Sequence, residues 1–198
     1  MPDVWLDVTR LLTRVGRGAL TGIDRVELAY LNEALKSGCR HFLCRTTRGY
    51  LLLDQQGATC LRDLAEGRIA LGDADAFSRW TFRGNRPRHR AEAMWRPLAI
   101  DRCRKRGLPQ LLSRHESNAR TYINVGHANL SEATLSAFAG PEREIRTLVM
   151  VHDLIPLTHP QYVVQTQPEV FAGRIERIRQ FATHVIANSA ATASDINA

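Results

Sequence analysis

Two residue pairs in this sequence stand where chemistry could be done. In VMVHDLIPLTHPQY, residues 149–162, an apolar run ends abruptly in His152-Asp153. A histidine at the end of a strand can exchange a proton, or share a hydrogen bond, with a sugar hydroxyl. Asp153 could orient that ring or accept a bond itself. The plainer alternative has Asp153 capping the next turn and His152 filling a polar gap at the sheet edge. The second pair, Gly126-His127, closes the run YINVGH. It is either a second histidine facing the same crevice or a surface histidine in a turn.

A third candidate is RGALTGIDRVE, residues 17–27. A glycine at a helix start lets backbone N–H groups approach a ligand, and the helix dipole favours an anion there. A phosphate group is the natural guest at Thr21-Gly22, with Arg25 one turn further on to add charge. The alternative is a plain capped helix behind a flexible loop. The stretch is neither G-x-x-x-x-G-K-[ST] nor G-x-G-x-x-G, so phosphate binding by those two motifs is not supported. A metal-dependent hydrolase built on His152-Asp153 would need further ligands at diagnostic spacing. His127 and His159 do not supply it, and no metal or other cofactor is expected.

These residues need elements to hold them. VWLDV (4–8), HFLCRT (41–46), YLLLD (50–54), YINVG (122–126), IRTLVMV (145–151) and HVIAN (184–188) read as strands, with a hairpin about Arg48-Gly49. GIDRVELAYLNEALKSG reads as a helix capped by Thr21 and stopped by Gly38. Its apolar face carries Ile23, Val26, Tyr30 and Ala34, beside a second face of Leu28, Leu31 and Leu35. CLRDLAEG reads as a short helix, as does LSEATLSAFAG with Ser131 at its start and Gly140 at its end. PEVFAGRIERIRQFA is the clearest helix, and Ser189 caps a last one. LLTRVGRGALTG and IPLTHPQY read as loops, and a helix is expected near 91–106. Alternating strands and helices predict an α/β sandwich of three layers with a mostly parallel sheet. In such sheets ligands bind outside the carboxyl ends of the strands. Thr9, Gly126-His127, His152-Asp153 and Asn188-Ser189 all fall there.

The 198 residues suffice for one domain with its own core. Asp3 and Asp7 interrupt the amino terminus, which does not read as a signal peptide. No apolar run is long enough to span a bilayer, and the expected location is the cytoplasm. Cys39, Cys44, Cys60 and Cys103 form no C-x-x-C pair and read as ordinary reduced thiols. The net charge of +7 is concentrated in one place. Residues 79–120 hold 12 arginines and lysines against three acids, and the rest of the chain is nearly neutral. Trp80, Phe82 and Trp95 interleave with these arginines, which suits an anionic membrane surface. A solvated arginine-rich loop is the alternative. No RNA-binding signature accompanies the charge, and nucleic acid is not an expected partner.

Taken in order, DVTRLLTR, TGIDRVELAYL, INVGH, VHDLIPLTHPQY and HVIANSAATASDI resemble the amino-terminal half of family 4 (group 1) glycosyltransferases. The likeness covers most of the chain, with 79–120 as a variable basic insert. It implies a GT-B architecture, two Rossmann-like domains facing across a cleft, of which residues 1–198 form the acceptor-side one. It implies transfer of a sugar from a nucleotide-sugar donor to a polysaccharide, lipid-linked or other glycan acceptor, with retention and without a metal. By this resemblance Thr21 and Gly22 lie near the donor diphosphate, and His152 lies near the transferred sugar or acceptor with Asp153 beside it. Ser189 begins the helix leading toward the second domain. The family's carboxy-terminal domain carries most of the nucleotide site, and the sequence ends at DINA before any counterpart of it. The expectation is an amino-terminal part, inactive alone, acting at the inner face of the membrane. The rival expectation is a non-catalytic module that docks anionic lipid or a protein partner through its basic segment.

Overall fold

The computed structural model describes residues 4–73, 75, 76, 80, 86–115, 120–139 and 145–197. Asp3, Phe82 and Gly140, singled out above, lie outside them. Seven strands form one sheet. They are β1 (Val4–Asp7), β2 (His41–Arg45), β3 (Gly49–Leu53), β4 (Ala99–Arg104), β5 (Thr121–Asn124), β6 (Arg146–Val151) and β7 (His184–Ala187). Their spatial order is β4-β3-β2-β1-β5-β6-β7. From β2 to β7 every neighbour is parallel. β3 and β4 extend this sheet antiparallel. The result is the Rossmann-like three-layer sandwich that the alternating elements predict.

The helices are α1 (Thr9–Arg14), α2 (Gly22–Lys36), α3 (Gln55–Ala65), α4 (Pro87–Trp95), α5 (Leu108–Arg114), α6 (Glu132–Phe138), α7 (Ile155–Thr158), α8 (Gln167–Phe181) and α9 (Ala190–Asn197). Side chains alternate across the sheet, as the strand pleat requires. Trp5, Leu43, Leu52, Tyr122 and Val149 pack with α5, α6 and α8 on one face. Leu6, Phe42, Leu51 and Leu53 pack with α1, α3 and Trp95 of α4 on the other. Among the described residues no helix is long and apolar enough to cross a membrane. The four cysteines are free thiols.

Several expectations need correction. The segment after β1 is not all loop, because α1 begins two residues beyond the strand. IPLTHPQY is likewise no plain loop, since it holds α7 and a single 3-10 turn over Pro160–Tyr162. The expected helix near 91–106 is half of one. α4 ends at Trp95, and AIDRCR is the edge strand β4, paired with β3 across a register shift at Leu52/Leu53. Its exposed residues fall at every second position, the period of a strand. α3 starts five residues before the predicted helix because Asp54 caps it, accepting from the Gly57 N–H at 2.9 Å. Most consequential is α2. Its fully buried stripe is Asp24, Glu27 and Leu31: Leu31 comes from the second apolar face, Leu28, Tyr30, Ala34 and Leu35 are only partly buried, and two acids take the remaining places.

Candidate functional site

β1 continues into β2 on one side of the sheet, while β5, β6 and β7 extend the other. The order of strands therefore reverses between β1 and β5. Crevices at such reversals, outside the carboxyl ends of the strands, are the ligand sites of open α/β sheets. Here the crevice receives the start of α1, the start of α2, the turn after β5 and the residues after β6.

The turn after β5 is wound tightly. His127 and Asn129 both have positive φ, 54° and 60°, a conformation that side chains other than glycine resist. A buried polar network holds Asn129 there. Asn129 Nδ2 donates to Asp7 Oδ2 at 2.7 Å, and Asn129 Oδ1 accepts from Thr134 Oγ1 at 2.8 Å. Tyr122 Oη also donates to Asp7 Oδ2, and the Thr9 N–H donates to Asp7 Oδ1. Burial pushes the Asp7 carboxyl up to about 6, against the pull of the Asn129, Thr9 and Tyr122 hydrogen bonds.

His127 and His152 meet in this crevice, with ring centroids 5.0 Å apart. His152 Nε2 lies 2.7 Å from the Val125 carbonyl oxygen. A carbonyl only accepts, so Nε2 carries the proton and the neutral ring has its lone pair on Nδ1. His127 is 9% exposed, and its Nε2 has no hydrogen-bond partner. Burial lowers its pKa to about 4, with His152, Arg174 and Arg10 acting the same way and a hydrogen bond to the Met150 backbone acting against them. At neutral pH His127 is thus an uncharged imidazole. The bare Nε2 of His127 can take a hydrogen bond from a ligand hydroxyl, with the His152 ring beside it.

Asp153 does not orient His152. Its Oδ1 accepts from the Ile155 N–H at 3.2 Å, closing the turn that leads into α7. His152 is anchored instead through Val125 and through its own carbonyl, which accepts from Thr192 Oγ1 at 3.1 Å. Thr192 in turn links to Ser189: the Thr192 N–H donates to Ser189 Oγ at 3.1 Å and caps α9. Ser189 therefore reaches His152 through one intervening side chain.

Thr21 and Gly22 are exposed at the start of α2, and Arg25 points outward. A Cβ on Gly22 would meet nothing within 4 Å, so no close approach requires glycine there. The helix start already holds a carboxylate. Asp24 Oδ2 accepts from the Thr21 N–H at 2.7 Å and from Arg14 Nε at 3.1 Å. Asp24 Oδ1 accepts from Arg10 Nε at 2.5 Å. Burial works to raise the Asp24 pKa, but the Thr21 hydrogen bonds and Arg10 outweigh it and hold the carboxyl below its usual range.

Gly126 has a packing role. A Cβ there would fall 1.7 Å from Glu27 Oε2. Glu27 is fully buried; its Oε1 accepts from the Leu11 N–H at 2.8 Å, and its Oε2 has no partner. Burial pushes its pKa well above the usual range, opposed by the Leu11 hydrogen bond and assisted by Asp7.

The site also includes residues that the sequence reading passed over. Arg10 reaches Gly126 and Thr21 as well as Asp24. Arg174 and Arg177 approach from α8, with the Arg174 guanidinium 5.7 Å from the centre of the Phe171 ring and Arg177 Nε donating to the Leu130 carbonyl. The T-x-x-D spacing of Thr21 and Asp24 is a capping-box signal that could have been found. Nothing in the sequence marks Arg174, which emerges only when α8 crosses the turn after β5.

The basic segment is paired with acids at some of its described positions, while Arg102, Arg104, Lys105 and Arg106 are exposed. Arg88 pairs with Glu92, Arg96 with Asp75 and Arg114 with Asp101. Trp95 is fully buried, its Nε1 donating to the Gly57 carbonyl at 3.0 Å, so it is a core residue rather than part of an interfacial stripe. Among the described residues no cluster of His, Cys, Asp or Glu could hold a metal ion. Comparison of the chain with protein-family models, curated proteins and solved structures found no match.

Proposed function

We propose that this chain is the acceptor-side domain of a retaining glycosyltransferase. It would act with a nucleotide-sugar donor bound mainly by a second domain, and with a glycan or lipid-linked acceptor. The carrying observation is the pair of buried imidazoles, His127 and His152, with ring centroids 5.0 Å apart beside the strand-order reversal. Sugars present hydroxyl donors, and buried acceptor nitrogens select for them because an unmatched hydroxyl is costly there. His152 would position the transferred sugar or acceptor, with its ring fixed by the Val125 carbonyl. Asp153, by closing the turn into α7, would set the path of the chain away from the site.

The test is transfer of label from a panel of nucleotide-sugars to glycan or lipid-linked acceptors, with the chain joined to its donor-binding domain. His152→Ala should lower turnover at saturating substrates by about tenfold or more. Unchanged turnover would remove His152 from the reaction. The rival reading, docking to anionic lipid through residues 79–120, draws support from Arg102 and Arg104, which are exposed on β4. It predicts pelleting with phosphatidylserine vesicles that weakens as salt is added. Pelleting indifferent to salt, or none, would remove that reading.

A further inference from the structure

Arg174 and Arg177 lie three residues apart on α8, on the side that faces the crevice. Like charges this close raise each other's energy, and burial adds to the cost. Burial, Arg177 and Arg10 together lower the Arg174 pKa. Such an arrangement is ordinarily balanced by a carboxylate. Arg10 has one, since it is paired with Asp24 at 2.5 Å. Arg174 and Arg177 have none: among the described residues neither forms an ion pair.

Both guanidinium groups are nevertheless held in place. Arg174 lies over Phe171, and Arg177 is tied by Nε to Leu130 at 2.9 Å. Phe171 also packs 6.2 Å from His127, centroid to centroid. His127 Nε2 is buried in the same cluster with no partner. Two ordered cations with no anion among the described residues, beside an unsatisfied buried nitrogen, are the negative image of a ligand that bears an oxyanion and a hydroxyl.

We infer that Arg174 and Arg177 form an oxyanion subsite beside His127, which takes a phosphate-type group. Planar guanidinium forks match phosphate oxygens two at a time, and Phe171 keeps the Arg174 fork presented without a carboxylate to hold it. His127 Nε2 accepts from a hydroxyl of the same ligand, either on the phosphate or on an attached sugar. The subsite is separate from the start of α2, where Asp24 already occupies the position an anion would take. It stands on the arginine geometry and does not depend on glycosyl transfer.

Isothermal titration calorimetry of the whole chain at low ionic strength, with inorganic phosphate and with pyrophosphate, tests it. Saturable binding to the wild-type chain is expected, weakened about tenfold or more in Arg174→Gln and in Arg177→Gln. Arg174→Lys should retain part of the affinity, and Arg25→Gln all of it. Tighter binding of phosphate than pyrophosphate supports a monoester ligand; the reverse supports a diphosphate. Absence of saturable binding overturns the inference. So does undiminished binding in an Arg174→Gln chain whose melting transition matches the wild type, or loss of binding in Arg25→Gln instead. Failure of sugar transfer in the separate transfer assay leaves the titration result intact.

Discussion

Glu27 Oε2 lies so close to Gly126 that a Cβ on the glycine would fall 1.7 Å from it. The contact joins α2 to the turn after β5, and through that turn to His127. Gly126→Ala must therefore move either a buried carboxyl or the turn itself. It should destabilise the chain by about 1–3 kcal/mol, the usual cost of overpacking, read as a lower denaturant midpoint. Gly22→Ala, facing open space, serves as the comparison and should leave the midpoint nearly unchanged. Equal effects at the two glycines would contradict the packing role.

Asp7 supplies a pH signature. Its folded pKa is about 6, above its ordinary 3.8. Between these values the folded state binds more proton than the unfolded one, so stability falls as pH rises. Its contribution is complete below about pH 4 and lost through pH 6, and amounts to about 3 kcal/mol over the whole range. Asp7→Asn removes that slope. Urea unfolding at about pH 4.5 and pH 7.5 should show the wild type losing about 2 kcal/mol more than the variant across the interval. Parallel behaviour of the two chains would contradict the shift.

The tryptophans of the basic segment separate core from surface. Trp95 is fully buried and hydrogen-bonded to Gly57, whereas Trp80 is 83% exposed. Trp95→Ala should cost about 3–5 kcal/mol of stability, and Trp80→Ala almost none. In chemical denaturation followed by circular dichroism, the two variants should lie on opposite sides of that gap. A mild Trp95→Ala would contradict the packing seen around it.

The layering of this fold was legible because its signals are local and repeated. VMV and HVIAN are apolar runs of strand length, and the helix from residue 168 shows clean periodicity. The edge strand β4 was missed because AIDRCR is rich in charge and follows directly on a helical stretch. Its pairing with β3, a long-range relation, decides its structure. At the site, His127 and His152 were legible as strand ends. Their nearness was legible too, because neighbouring strand ends converge on one crevice; the edge-on ring geometry was not, because it depends on the parallel register of β5 and β6 and on the tight turn at His127. Asp24 and Glu27 were read past for a different reason. Acids on a helix ordinarily face water, and only α1, folding back with Arg10, Arg14 and the Leu11 N–H, makes their burial tolerable. Arg174 became visible only once α8 lay beside the crevice.

The antiparallel extension of the sheet has a consequence for how the chain meets its own kind. β4 is the last strand on its side, and an open strand edge is a template for pairing with another molecule. Here Arg102 and Arg104 stand exposed on that strand, and Lys105 and Arg106 follow at once. Two such edges laid side by side would set arginine against arginine, and the repulsion would act before any backbone bond could form. The charge that reads as an invitation to acidic partners is, between identical copies, a guard against fibrous growth, and one that added salt would weaken.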